Sequence, residues 1–186
     1  MKRITVLFCL LILSLAVSAA GNIRFWEQYS ETEKATFLES GAIDTLLVDV
    51  YQDSYKGSDP CEEAERALDM LINHKYGSSQ NTPISDAFCF HCYTIILNRA
   101  DGALAEVMGM YCLDVVKTSP DYSILYLKSH EDIRKKFVQY IGEEIYFSQN
   151  KERDYRKLRN CLGVDPSFAR QFVSEVKYEV RLIEED

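Results

Sequence analysis

The spacing of apolar residues along this chain is that of helices almost from end to end. After a Ser30/Glu33 capping-box pattern, Leu38, Ala42, Leu46 and Val50 recur every four residues with Ile43 and Leu47 beside them, which predicts one long helix. Ala64, Ala67, Leu68 and Leu71 give a narrower stripe that fades at Asn73-His74. Leu104, Val107, Met108, Tyr111, Cys112 and Val115 keep a three-four rhythm between 103 and 116. A Ser129/Asp132 start opens a helix with Ile133, Phe137, Ile141 and Ile145, a shorter one runs from about Lys151 to Leu162 and stops at Gly163, and Phe168, Phe172, Val176 and Val180 mark the last.

All four prolines follow a residue able to cap a helix: Asp59-Pro60, Thr82-Pro83, Ser119-Pro120 and Asp165-Pro166. Proline at the first helical position sacrifices no hydrogen bond, and the side-chain oxygen before it can accept from the open amides of the first turn. Strand character is confined to Tyr122–Leu127, and the Ser-Pro-Asp ahead of it favours a helical turn. The expectation is an all-α, single-domain bundle of about seven helices with antiparallel neighbours, stapled by disulfides. "YQDSYKGSD" (51–59) and "YGSSQNT" (76–82) read as links within it.

The first twenty residues change the setting. Lys2 and Arg3 precede an apolar run from Ile4 to Val17 and the small residues Ser18, Ala19 and Ala20, the pattern of a secretory signal peptide. The run falls short of the ~20 residues a membrane span needs. The domain division is therefore 1–20 leader and 21–186 mature chain, exported to a periplasm or the cell exterior, with no membrane insertion after cleavage. Loss of Lys2 and Arg3 leaves 19 basic against 29 acidic side chains, a formal charge of −10. Such a surface repels phosphate backbones and anionic lipids, so a protein is expected as partner and nucleic acid is not.

Export also puts the cysteines where disulfides persist. Cys9 leaves with the leader, and Cys61, Cys89, Cys92, Cys112 and Cys161 remain. If the helices flanking Ala100-Asp101-Gly102 form a tight hairpin, Cys92 and Cys112 lie almost equally far from the turn and on facing apolar stripes, which predicts a Cys92–Cys112 bond. Cys89 is then left for Cys61, and Cys161 is the odd thiol, able to bridge two copies.

The segment Cys89-Phe90-His91-Cys92 resembles the CxHC active site of periplasmic disulfide oxidases of the thioredoxin fold, a likeness of about five residues that Tyr93 extends slightly. The resemblance implies a thiol–disulfide oxidoreductase with Cys89 as attacking thiolate, His91 activating it and Cys92 as resolving thiol. The chain supplies neither the apolar strand such a site follows nor a suitably placed proline. The alternative is that two cysteines three apart share one helix face as structural residues. His74 and His130 stand alone near helix ends, no second pair sits at zinc-ligand spacing, and no phosphate loop, GxSxG elbow or HExxH occurs, so neither metal nor cofactor is expected. Phe25, Trp26 and Tyr29, just after the leader, are either a partner-binding aromatic patch or a lid folded back on the first helix; since Phe25-Trp26 precede the Ser30 cap and can pack on Phe37 or Leu38 across it, Trp26 is expected to be largely buried. These readings favour a non-enzymatic, exported helical module that binds another macromolecule, comparable in outline to small inhibitor or immunity proteins by fold class alone.

Overall fold

The computed structural model describes residues 23–54 and 60–185, so the expected leader, Cys9 and the Asp59 cap lie outside the described residues. Among those residues there is no strand. A single 3-10 turn, Trp26–Gln28, precedes nine helices: α1 Glu31–Glu39, α2 Thr45–Gln52, α3 Pro60–Asn73, α4 Pro83–Arg99, α5 Gly102–Thr118, α6 Pro120–Ser129, α7 Glu131–Tyr146, α8 Lys151–Cys161 and α9 Pro166–Glu185.

Each proline is the first residue of its helix, as its missing N–H dictates. Thr82 Oγ1 accepts from the amide of Ser85, and Asp165 Oδ1 accepts from those of Ser167 and Phe168. Ser30 and Glu33 close the expected reciprocal box.

The helix number differs from seven for two reasons. The long first helix is broken into α1 and α2, because Gly41 adopts φ +68° and Asp44 starts a new helix by accepting from the Leu46 amide. A left-handed residue ends a helix whatever the apolar rhythm beyond it. The stretch from Tyr122 to Leu127 is the middle of α6, and its aromatic and β-branched side chains are recruited to the core. Tertiary burial overrides the strand preference of those residues.

At the centre lies α4. Ala87, Phe88, Cys89, Phe90, Cys92, Tyr93, Ile96 and Leu97 are all buried, so nearly every side of this helix is covered. A helix apolar all round must be enclosed by others. It packs chiefly on α2 and α3, whereas α5 packs on α7 and α3, and α9 runs along α7. Two glycines set the closest crossings. A Cβ on Gly109 of α5 would meet the Tyr140 carbonyl oxygen of α7 at 2.5 Å, and one on Gly142 of α7 would meet Glu179 Cγ of α9 at 2.8 Å.

The short Ala100-Asp101 link therefore does not produce the expected hairpin packing. Leaving α4, the chain turns through Gly102, at φ +48°, and α5 goes to different neighbours. Equal distance from a turn brings two residues together only when the flanking helices lie against each other.

Candidate functional site

The aromatic segment Phe25–Tyr29 is a lid. Trp26 is only 2% exposed, with its ring 6.1 Å from Phe37, 5.1 Å from Phe88 and 5.7 Å from Tyr51. Phe25 packs edge-on to Tyr126 and Tyr122 of α6, and Tyr29 is buried with them. Arg24 holds the segment to α1 through a two-pronged ion pair with Glu33, at 2.8 and 3.1 Å, and Glu27 reaches His130 at the α6–α7 junction. The hydrogen bond from Arg24 and those from Ser30 hold the Glu33 carboxyl near 2. Of the two readings of Phe25, Trp26 and Tyr29, their burial is that of a lid folded back on the bundle: burying these large apolar surfaces against α4 and α6 is worth more than leaving them in water.

Among the described residues the cysteines do not staple the bundle. Cys89, Cys92, Cys112 and Cys161 are free thiols, so neither the Cys92–Cys112 nor the Cys61–Cys89 bond is formed, and Cys161 is not odd for want of a mate. Cys92 points to α2, where its thiol donates to the Leu47 carbonyl at 3.5 Å. Cys112 accepts from the Tyr93 hydroxyl at 3.3 Å. A tyrosine side chain of α4 thus occupies the space on the inner face of Cys112. Burial pushes the Cys92 thiol far above its ordinary range and the Cys112 thiol to about 12. Two thiols held protonated in an apolar interior are poor nucleophiles.

Nor does the Cys89-Phe90-His91-Cys92 segment assemble as a redox centre. Cys89 is the seventh residue of α4, at the end of its second turn, away from the terminal amides that would favour a thiolate. His91 turns from both cysteines toward the lid, its ring 6.2 Å from Trp26 and 5.8 Å from Tyr51, and burial lowers its proton affinity.

A different histidine meets the helix that carries Cys89. His74 follows the last residue of α3, and its Nε2 lies 2.7 Å from Asp86 Oδ1 on α4. The other oxygen of that buried carboxylate accepts from the Gly77 amide at 2.7 Å, and Asn81 Nδ2 lies 3.3 Å from the same imidazole nitrogen while donating to the Lys75 carbonyl at 2.9 Å. Asp86 and Cys89 are three apart, hence neighbours on one face of α4. Burial alone would lower the imidazole. The Asp86 and Cys89 hydrogen bonds and charges outweigh it and raise His74 to about 9, so the ring is a cation at neutral pH.

Tyr76 covers this trio with its ring 4.6 Å from His74 and 5.3 Å from Tyr122. The hydroxyls of Tyr76 and Tyr122 are both buried without a hydrogen-bond partner. Burial, then the proximity of Cys89, pushes the Tyr76 phenol well above its usual range. Sequence reasoning missed His74 and Asp86. The signal for Asp86 was its i, i+3 spacing to Cys89, but the link carrying Gly77 and Asn81 is what folds His74 back onto α4.

An open concavity lies elsewhere, between α7 and α9. It is a groove of about 630 Å³ whose walls include Arg134, Lys135, Glu175, Tyr178 and Arg181. Arg134 pairs with Glu175 at 3.4 Å and Lys135 with Glu131 at 3.0 Å. Tyr178 is 56% exposed, and the Arg181 guanidinium sits 5.8 Å from its ring centre. Among the described residues no cluster of His, Cys, Asp or Glu has a metal-holding arrangement, and no helix is long and apolar enough to cross a membrane. Comparison with family models, with curated proteins and with solved structures finds no match for this chain.

Proposed function

We propose that this chain is an exported, non-enzymatic helical module that acts by binding another protein, and that the α7–α9 face is its recognition surface. The observation that carries the reading is the exposed Tyr178 set beside Arg181 in an open groove of mixed charge. Tyrosine and arginine are the residues that dominate the energetics of protein interfaces. Both signs of charge line the groove, with Arg134, Lys135 and Arg181 among Glu131, Glu175 and Glu179. A polyanion would call for one sign, whereas a folded partner with its own mixture of charges matches this pattern. The groove is open, which suits side chains offered from a partner's surface better than an enclosed small molecule.

The test is co-purification of the tagged full chain from its native cell compartment, run in parallel with a Tyr178→Ala/Arg181→Ala double variant. Phe147→Ser is the control, since Phe147 is 82% exposed and away from the groove. The expected result is a partner held by the wild type and the control and lost with the double variant. A partner retained equally by all three would remove the α7–α9 face from the proposal, and no specific partner at all would remove the binding reading.

A further inference from the structure

We propose that the pocket where α8 meets the start of α9 is a second binding site, which takes a short acidic segment of a partner protein through Arg159 and Arg170. It lies at the other end of α9 from the groove beside Tyr178 and stands or falls without the reading given to that groove.

The pocket has a volume of about 530 Å³, with Arg159 and Asn160 on the α8 side and Pro166, Ala169 and Arg170 on the α9 side. Both arginines are exposed, and among the described residues neither has an ion pair or a side-chain hydrogen bond. Arg156, three residues before Arg159 and so on the same side of α8, is exposed and unpaired as well. The surface elsewhere is different. Carboxylates outnumber cations by 29 to 21, and Arg24, Arg99, Lys128, Lys151 and Lys177 each hold one. Asp165, which immediately precedes Pro166, is taken by the amides of Ser167 and Phe168 and by Lys128. The pocket thus gathers positive charge that an acidic chain leaves without a carboxylate of its own.

A guanidinium offers its donors in a planar fork that matches a carboxylate bond for bond. Pro166 and Ala169 give the pocket an apolar wall, and Val164, next in sequence to the lining Gly163, is 59% exposed. A carboxylate side chain with an apolar residue beside it satisfies both parts. The formal charge of −8 repels long polyanions. A short segment feels mainly the guanidiniums it touches, because charges more than about 8 Å away are screened at physiological salt. The occupant is therefore an acidic stretch of a protein, not a nucleic acid or an anionic membrane.

The experiment measures fluorescence anisotropy of a short labelled peptide of alternating Glu and Leu with the full chain, at about 20 mM and about 150 mM salt. Expected are binding by the wild type that weakens about fivefold or more at the higher salt, and a loss of about tenfold or more in Arg159→Gln/Arg170→Gln. Lys75→Gln/Lys117→Gln, which removes as much charge outside the pocket, and the groove variant Tyr178→Ala/Arg181→Ala should bind as the wild type does. Matching thermal unfolding curves show that the variants fold, and on the wild type alone a peptide with Gln in place of Glu should not bind. The proposal is overturned by no binding at low salt, by equal binding of the Gln peptide, or by an equal loss in either control variant. Displacement of the peptide by inorganic phosphate at equal concentration would also overturn it, since the site would then be one for small anions.

Discussion

Replacing Gly109 by alanine sets two effects of opposite sign against each other. Alanine in a helix interior is favoured over glycine by about 1 kcal/mol through the smaller entropy lost on folding. Against this, the new Cβ would lie 2.5 Å from the Tyr140 carbonyl oxygen and 2.6 Å from Glu144 Cβ. Neither obstacle is the far end of a flexible side chain. Relief requires α5 and α7 to part by somewhat under 1 Å, and a gap of that order forfeits a quarter to a half of each dispersion contact across the crossing. Met108 and Cys112 on α5 and Ile141 on α7, close in sequence to these residues, are fully buried. Overpacking of this kind costs up to about 3 kcal/mol, so Gly109→Ala should destabilise the protein by about 2 kcal/mol net. For a chain of this size that is a fall in Tm of roughly 4–8 °C.

Gly142→Ala is the internal comparison. Its Cβ would meet Glu179 Cγ at 2.8 Å and Glu179 Cβ at 3.0 Å. The Cγ belongs to a side chain that can swing aside, so the net change should be smaller, within about 1 kcal/mol of the wild type. Urea unfolding followed by far-ultraviolet circular dichroism measures both. If Gly109→Ala proves as stable as the wild type, or more so, the crossing is not closed by backbone contact and the reasoning is refuted.

Trp26→Ala should cost about 3–5 kcal/mol, measured by the same unfolding, because a nearly sealed ring between Phe37, Tyr51 and Phe88 is lost; a loss under 1 kcal/mol would mean that the lid does not belong to the core. The pH dependence should carry two opposite signatures. His74 is raised when folded, so its contribution is whole below the ordinary value of about 6.5 and is lost as pH rises through about 9, on the order of 2 kcal/mol. His91 is lowered by burial, so its contribution is present above about 6.5 and is lost as pH falls through its depressed folded value. Unfolding curves at stepped pH check both, and His74→Gln should flatten only the alkaline limb. Cys92 and Cys112 should both titrate as thiols once the purified, non-reduced chain is denatured, and a Cys92–Cys112 bridge found by peptide mapping would contradict the separate environments described for them.

The helical character, the four proline starts, the Ser30 box and the burial of Trp26 follow from rules that act within a few residues, namely a missing N–H, a side-chain oxygen beside open amides, and an aromatic ring next to an apolar stripe. The run Ala87-Phe88-Cys89-Phe90-His91-Cys92-Tyr93 is apolar almost all round, and that alone marks α4 as the enclosed helix. What no local rule contains is which helices lie against which. Gly41 breaks a rhythm that reads as continuous, and α5 leaves α4 for α7 because Gly109 lets the two backbones touch. Those choices are made by the summed burial of whole helix faces, and they decide that Cys92 meets Leu47, that Cys112 meets Tyr93, and that Asp86 meets His74 from across a link of the chain.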